Sequence, residues 1–203
     1  MTMKKVILYV HGKDGSAFEA EHYKELCQDY EVIGLDYKGT TPWETKDEIK
    51  GVYDDLLNSF GSVSIIANSI GAYFCMNALQ EENIPQALFI SPIVDMEKLI
   101  VDMMAWANVT ESELKAKQEI DTNFGEKLSW EYLHYVREHP IKIWTSPTWI
   151  LYGDRDNLTN LATIQNFANK HNAALTIMKS GEHWFHTDDQ MKFLDNWVKS
   201  SLL

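Results

Sequence analysis

The sequence predicts an α/β fold: a mostly parallel six-stranded sheet with helices on both faces. Three observations lead to it. Short apolar, β-branched runs alternate with longer amphipathic stretches along the chain. Each run reads as buried on both faces, as a parallel sheet covered by helices requires. With 203 residues, 45% hydrophobic and 12% aromatic, the chain can bury a substantial core and is most simply one domain.

In order, strands are expected at 6–10, 31–35, 63–67, 87–90, 148–151 and 174–178, and helices at 17–28, 45–58, 70–82, 158–170 and 188–201. The last helix is opened by Thr187 with Gln190 three residues on, a capping-box signature, and carries Met191, Leu194 and Val198 at helical spacing. No repeat or low-complexity linker interrupts the pattern. One interval breaks the rhythm: about 55 residues separate Ile90 from Thr148, far more than one crossover needs. Its text reads as helices. Leu99, Ile100, Met103, Met104 and Trp106 form one apolar face, and Thr110 with Glu113 suggests a cap. Trp130, Leu133 and Val136 form another face, ended by Pro140. A helical cap insertion over approximately 95–140 is expected, the alternative being extra core helices with no role at a site.

Charge and leader content narrow the function. Eighteen Lys and Arg against 30 Asp and Glu give a net charge of −12, which repels phosphate backbones and anionic headgroups. Nucleic acid and membrane surfaces are therefore poor partners. The apolar run Val6 to Val10 is too short for a secretory leader or a bilayer span, so a cytoplasmic protein is expected, and the sequons at Asn108 and Asn157 carry no weight without secretion. Cys27 and Cys75 lack metal-ligand or redox spacing and read as buried thiols.

The stretch SIIANSIGAYFCM, from Ser64 to Met76, sets one polar pair, Asn68-Ser69, between two apolar runs. Ser69 falls just past the end of a predicted strand and before a helix, where open parallel sheets bind ligands. Two readings stand at this point: a nucleophile on a sharp strand-to-helix turn, which needs small neighbours such as Ala67 and Gly71, or a serine capping the helix. Ala67-Asn68-Ser69-Ile70-Gly71 resembles the nucleophile elbow of the α/β-hydrolase superfamily, G-x-S-x-G, with Ala in place of the first Gly.

That resemblance extends over nearly the whole chain, in the family's order of nucleophile, acid and histidine. His11-Gly12 and Gly15-Ser16 in LYVHGKDGS are similar to the family's HGxxG-type oxyanion loop. The implied backbone donors are the N–H of Ile70 and that of Lys13 or Asp14, and glycines let such a loop approach without side-chain clash. A phosphate loop is the rival, but G-K-D-G-S lacks the Walker spacing and has an acid at its centre. In WILYGDRDNLT the family's acid stands three residues after a glycine, which selects Asp156 after Gly153, leaving Asp154 to cap the turn. In KSGEHWFHTDD the resemblance selects His183, trailed by Trp184-Phe185, over His186, which reads as a local hydrogen-bonding or surface histidine. A metal reading of His183, His186, Asp188 and Asp189 fits no common zinc spacing. No sequence ahead of the first strand is available for the antiparallel hairpin with which many members begin, so a six-strand version of the fold is expected.

The resemblance implies a serine hydrolase using Ser69, His183 and Asp156, with a small-molecule acyl substrate, most often a carboxylic ester and in variants an amide, thioester or peptide, and with no cofactor or metal. Met103, Met104, Trp106 and Trp149, with Trp144, are expected either as apolar pocket wall or as ordinary core. A binding module with an idle triad is the alternative from another class, because fold alone never fixes function.

Overall fold

The computed structural model describes residues 5–202. The chain divides into two compact units, one made of the residues up to Val94 and from Ile143 onward, the other of Asp95–Lys142.

The first unit begins with β1 (Lys5–Val10), a 3-10 turn (Ala17–Glu19), α1 (Ala20–Leu26), β2 (Tyr30–Leu35), α2 (Pro42–Phe60), β3 (Val63–Asn68), α3 (Ile70–Leu79) and β4 (Ala87–Ile90). The second unit follows as α4 (Met96–Trp106), α5 (Glu111–Lys117), β5 (Glu119–Asp121), β6 (Lys127–Ser129) and α6 (Trp130–Glu138). The chain then completes the first unit with β7 (Thr148–Gly153), α7 (Leu161–His171), β8 (Ala174–Met178) and α8 (Asp188–Ser201).

Six strands pair in the order β2-β1-β3-β4-β7-β8, every pairing parallel. The order reverses at β1, which lies between β2 and β3, so the loops after β1 and β3 leave the same sheet edge side by side. Alternate strand residues serve two faces. Ile7, Tyr9, Val32, Ile66, Leu88 and Leu151 share one buried cluster with Ala20 and Tyr23 of α1 and Leu194, Trp197 and Val198 of α8. On the other face α2 packs on α3, whose residues from Gly71 to Asn77 are all buried, as is Leu79.

The expectation that every strand is buried on both faces holds for β1 beyond Lys5 and for β4. It is corrected for β8, where no residue is fully buried and Ile177 is 41% exposed. β8 ends the sheet, so only one strand neighbours it. The sequence also places the second helix too late. It starts at Pro42, because Thr41 and Glu44 form a capping box around a proline in the first turn, a signal present in TPWE. Gly61, in the left-handed conformation with φ 76°, ends it.

The second unit has its own buried apolar set: Met96, Leu99, Ile100 and Met104 from α4, Leu114 from α5, Leu128 from β6, and Leu133 and Val136 from α6. Arg137 joins its three helices, donating to Glu97 at 2.8 Å and in a two-pronged contact to Glu111 at 2.8 and 3.0 Å. Thr110 and Glu113 form the expected capping box. The antiparallel hairpin of β5 and β6 was not anticipated, since three-residue strands are too short to show a period.

Leu194 is 3% exposed in the α8 cluster, so Leu194→Ala should lower unfolding free energy by about 2–5 kcal/mol. Phe18 is 79% exposed, and Phe18→Ala should shift it by roughly 0.5 kcal/mol or less. Urea denaturation followed by circular dichroism checks both.

Candidate active site

Register places the first two parts of the site. Val10 pairs with Ala67, so the chain leaving β1 runs beside the chain leaving β3. A Cβ on Gly12 would stand 3.2 Å from the Ser69 Cβ. A Cβ on Gly71 would collide with the carbonyl oxygens of His11 and Val10, so only glycine lets α3 begin this close to β1. Between them Ser69 adopts φ 51° and ψ −121°, a conformation an L-residue holds only when its surroundings enforce it. They do so from three sides: its N–H donates to the Ile90 carbonyl at 2.9 Å, and its carbonyl accepts from Ile93 at 3.1 Å and Ala72 at 3.2 Å. Although Ser69 stands at the N-cap position of α3, its side chain does not cap the helix, which removes the capping alternative. The hydroxyl lies 2.8 Å from His183 Nε2.

His183 is tied down at its other nitrogen. Nδ1 lies 2.7 Å from Asp156 Oδ2, and an ionised carboxylate only accepts, so the proton sits on Nδ1 and Nε2 is left to accept from the serine. The Asp156 side chain is fully buried. Its second oxygen accepts from the N–H groups of Leu158 at 2.8 Å and Thr159 at 3.0 Å, so the buried charge is bonded on both oxygens. Tyr152 donates to the Thr159 carbonyl at 2.8 Å and closes this turn. Burial first, then the Asp156 and Asp154 carboxylates, push its phenol up to about 12, which keeps it a donor.

The acid loop and the histidine loop are stitched together. Asp154 Oδ1 accepts from the Ser180 N–H at 2.6 Å, the Asp154 N–H donates to Met178 at 3.1 Å, and the Arg155 N–H donates to Gly181 at 2.8 Å. Any side chain at Gly153 would strike the Gly181 backbone. Asp154 thus binds the histidine loop rather than the imidazole.

In the loop after β1, the Gly12 carbonyl accepts from His11 Nδ1 at 2.7 Å and from the Gly15 N–H at 3.2 Å. Asp14 has φ 58° at the third position of this turn. Because a trans peptide sets C=O and N–H on opposite sides, clamping the Gly12 oxygen fixes the direction of the Lys13 N–H. The His11 ring stacks on Tyr37 at 4.1 Å, and the Tyr37 hydroxyl donates to the His11 carbonyl at 2.9 Å. Ile70 is the first helical residue of α3, where N–H groups have no intrahelical acceptor.

Other expected site residues fall elsewhere. Trp149 is near the start of β7, four residues before Gly153, and packs on the cluster beneath α8. It is core at the far end of a strand from the site, which corrects its assignment to a pocket wall. Trp144 is likewise core, 2% exposed, its Nε1 donating to Thr148 at 2.7 Å. Met103, Met104 and Trp106 belong to the second unit, where Met104 is buried and Trp106 meets Phe124 edge to face. His186 bonds the Trp184 carbonyl at 2.8 Å and stacks on the Trp184 ring. Among the described residues no group of three or more His, Cys, Asp or Glu is arranged to hold a metal ion. The Gln190 side chain accepts from the N–H of His186, one residue ahead of the Thr187 cap, rather than from the cap itself as the capping-box reading implies. Sequence reasoning missed Glu19, whose carboxylate bonds the Ser16 N–H and the Tyr9 hydroxyl. Its signal was the capping box Ser16-x-x-Glu19.

Comparison with solved structures gives the fold. Est1E from Butyrivibrio proteoclasticus is similar with a TM-score of 0.78 at 18% identity, over 98% of this chain and 87% of that one. Alpha/beta hydrolase domain-containing protein 10 from mouse has a TM-score of 0.73 at 15% identity, over 96% and 88%. An esterase from Pyrococcus furiosus has a TM-score of 0.67 at 20% identity, over 98% and 81%. The chain has the α/β-hydrolase fold. No family model and no curated protein matches it.

Gly71→Ala should destabilise the protein by roughly 1–3 kcal/mol through backbone overpacking. Thermal melting checks it.

Proposed function

We propose that the chain is a serine hydrolase that cleaves small carboxylic esters through an acyl-enzyme, with Ser69 as nucleophile, His183 as general base and acid, and Asp156 as the group that orients the imidazole. The observation that carries the reading is the strained Ser69 with its hydroxyl 2.8 Å from His183 Nε2. The Ser69 proton passes to His183 Nε2 as Oγ bonds the acyl carbon. Asp156, fixed by its two backbone donors, steadies the imidazolium. The N–H groups of Ile70 and Lys13 receive the developing oxyanion. As the carbonyl re-forms, the alcohol leaves with the proton from His183. Water then repeats the sequence against the acyl-enzyme, giving a carboxylic acid and the free serine.

The neighbours support the class: the Pyrococcus furiosus protein is an esterase by name, mouse protein 10 is an alpha/beta hydrolase domain-containing protein by name, and Est1E has been solved with ferulic acid bound. The net charge of −12 favours a neutral or cationic substrate over a polyanion. Among the described residues no helix is long and apolar enough to cross a membrane. We place the activity in the cytoplasm, on a small-molecule substrate.

A fluorophosphonate probe should label the wild type and not Ser69→Ala, whose ester turnover should fall by roughly three or more orders of magnitude. Asp156→Asn should depress kcat by about three to four orders through the wrong tautomer, and Asp154→Asn by about tenfold or less. A chelator should leave the rate unchanged. Equal labelling of wild type and Ser69→Ala would overturn the reading in favour of a binding module.

A further inference from the structure

Outside the three side chains already assigned, one set of polar contacts ties the loop after β1 to β1 itself, beside the strand that leads into Ser69. The Glu19 carboxylate is its hub. One oxygen accepts from the Ser16 N–H at 3.0 Å, at the far end of the Gly12–Ser16 loop. The other accepts from the Tyr9 hydroxyl, and Tyr9 pairs in register with Ile66 of β3, the strand that leads into Ser69. Tyr9 is 1% exposed in β1, and burial holds its phenol protonated, so it remains a donor. Asn68 is the last residue of β3, directly before Ser69. A Cβ on Gly15 would stand only 2.5 Å from Glu19 Oε1, so the carboxylate is packed directly against the loop.

We infer that Glu19 is a positioning residue for the oxyanion site: it fixes the loop that bears the Lys13 N–H to the strand end that bears Ser69. The inference rests on the hydrolase reading above. A helix cap alone would need only the Ser16 contact, with the second oxygen turned to water. Here that oxygen is bonded to Tyr9 of β1, beside the strand that leads into Ser69. Loop and elbow are therefore held by one carboxylate, and the two halves of the oxyanion site keep a fixed separation. Transition-state stabilisation depends on donors already in place when charge develops, so loosening the loop lowers the rate of reaction more than the affinity for substrate.

The test uses the full chain with a short-chain p-nitrophenyl ester and a trifluoromethyl ketone, which forms a tetrahedral adduct on the serine. In Glu19→Ala, kcat should fall by about 10- to 100-fold with KM within about threefold, and ketone affinity should fall by a similar factor. Glu19→Gln keeps one acceptor for Ser16 and should recover most of both losses. Tyr9→Phe, which removes the link to β1 and leaves the Ser16 contact, should reproduce a part of each loss. Melting curves identify a variant that has merely unfolded, and Glu19→Gln and Tyr9→Phe then decide the matter. A fall in melting temperature with kcat and ketone affinity unchanged would overturn the inference, as would a lower kcat without weaker ketone binding. A wild type that neither hydrolyses esters nor binds the ketone would overturn the hydrolase reading and this inference with it. An active wild type with indifferent variants would overturn the inference alone.

Discussion

The close approach of the first strand to the start of α3 governs the layout of the site. With no side chain at Gly71, the carbonyls of Val10 and His11 can lie against the helix start. The geometry at Ser69 and in the loop after β1 is a consequence of that contact. Ser69 must turn the chain from β3 into α3 within one residue, which forces φ to 51°. Strain of that kind is worth about 1–3 kcal/mol. The three backbone hydrogen bonds on Ser69, at a net of about 0.5–1.5 kcal/mol each, are of the same size and offset it. The loop after β1 is brought level with the hydroxyl by the same contact, so the Ser69 hydroxyl and the backbone N–H groups of that loop share one origin.

The acid and histidine arrive by a different route. A fully buried Asp156 needs donors for its charge, and it takes them from the next turn of its own loop and from His183. The histidine loop is held by backbone contacts at Gly153 and Gly181 and by the Asp154 carboxylate, so His183 is placed by its chain before its ring meets Asp156. The two acids of GDRD divide the work: one holds the loop, the other the imidazole.

Much of this was legible in the sequence, for physical reasons that can be named. Strands and helices announced themselves where their period was long enough, as in α8, whose expected span matches the observed one. The parallel sheet with helices on both faces followed from the alternation of buried runs. Ala67 and Gly71 were readable because steric demands fall on residue size, which a sequence states directly, whereas Gly153 was reached through the family resemblance. What escaped were features that depend on pairing across the chain. Trp149 read as pocket wall because its place along β7 decides its surroundings, and its neighbours there come from β4, β8 and the α8 face. The hairpin of β5 and β6 has too few residues to carry a pattern. Glu19 escaped altogether: its local cap with Ser16 was not read, and its bond to Tyr9 spans ten residues.

The second unit shows how such a chain can vary without disturbing its reactive backbone. It enters after β4, beyond Ser91 at φ 43°, and it carries its own apolar core and an arginine that clasps three helices together. The hydrogen bonds that hold Ser69, Asp156 and His183 in place come from residues of the first unit. Substitutions within Asp95–Lys142 can therefore alter that unit's core or surface while the strain at Ser69 and the charge at Asp156 remain satisfied. The residues that hold this geometry are small or turn-forming and local to the ends of β1, β3 and β7 and the loop after β8, so the constraints on it are steric and fall on a handful of positions.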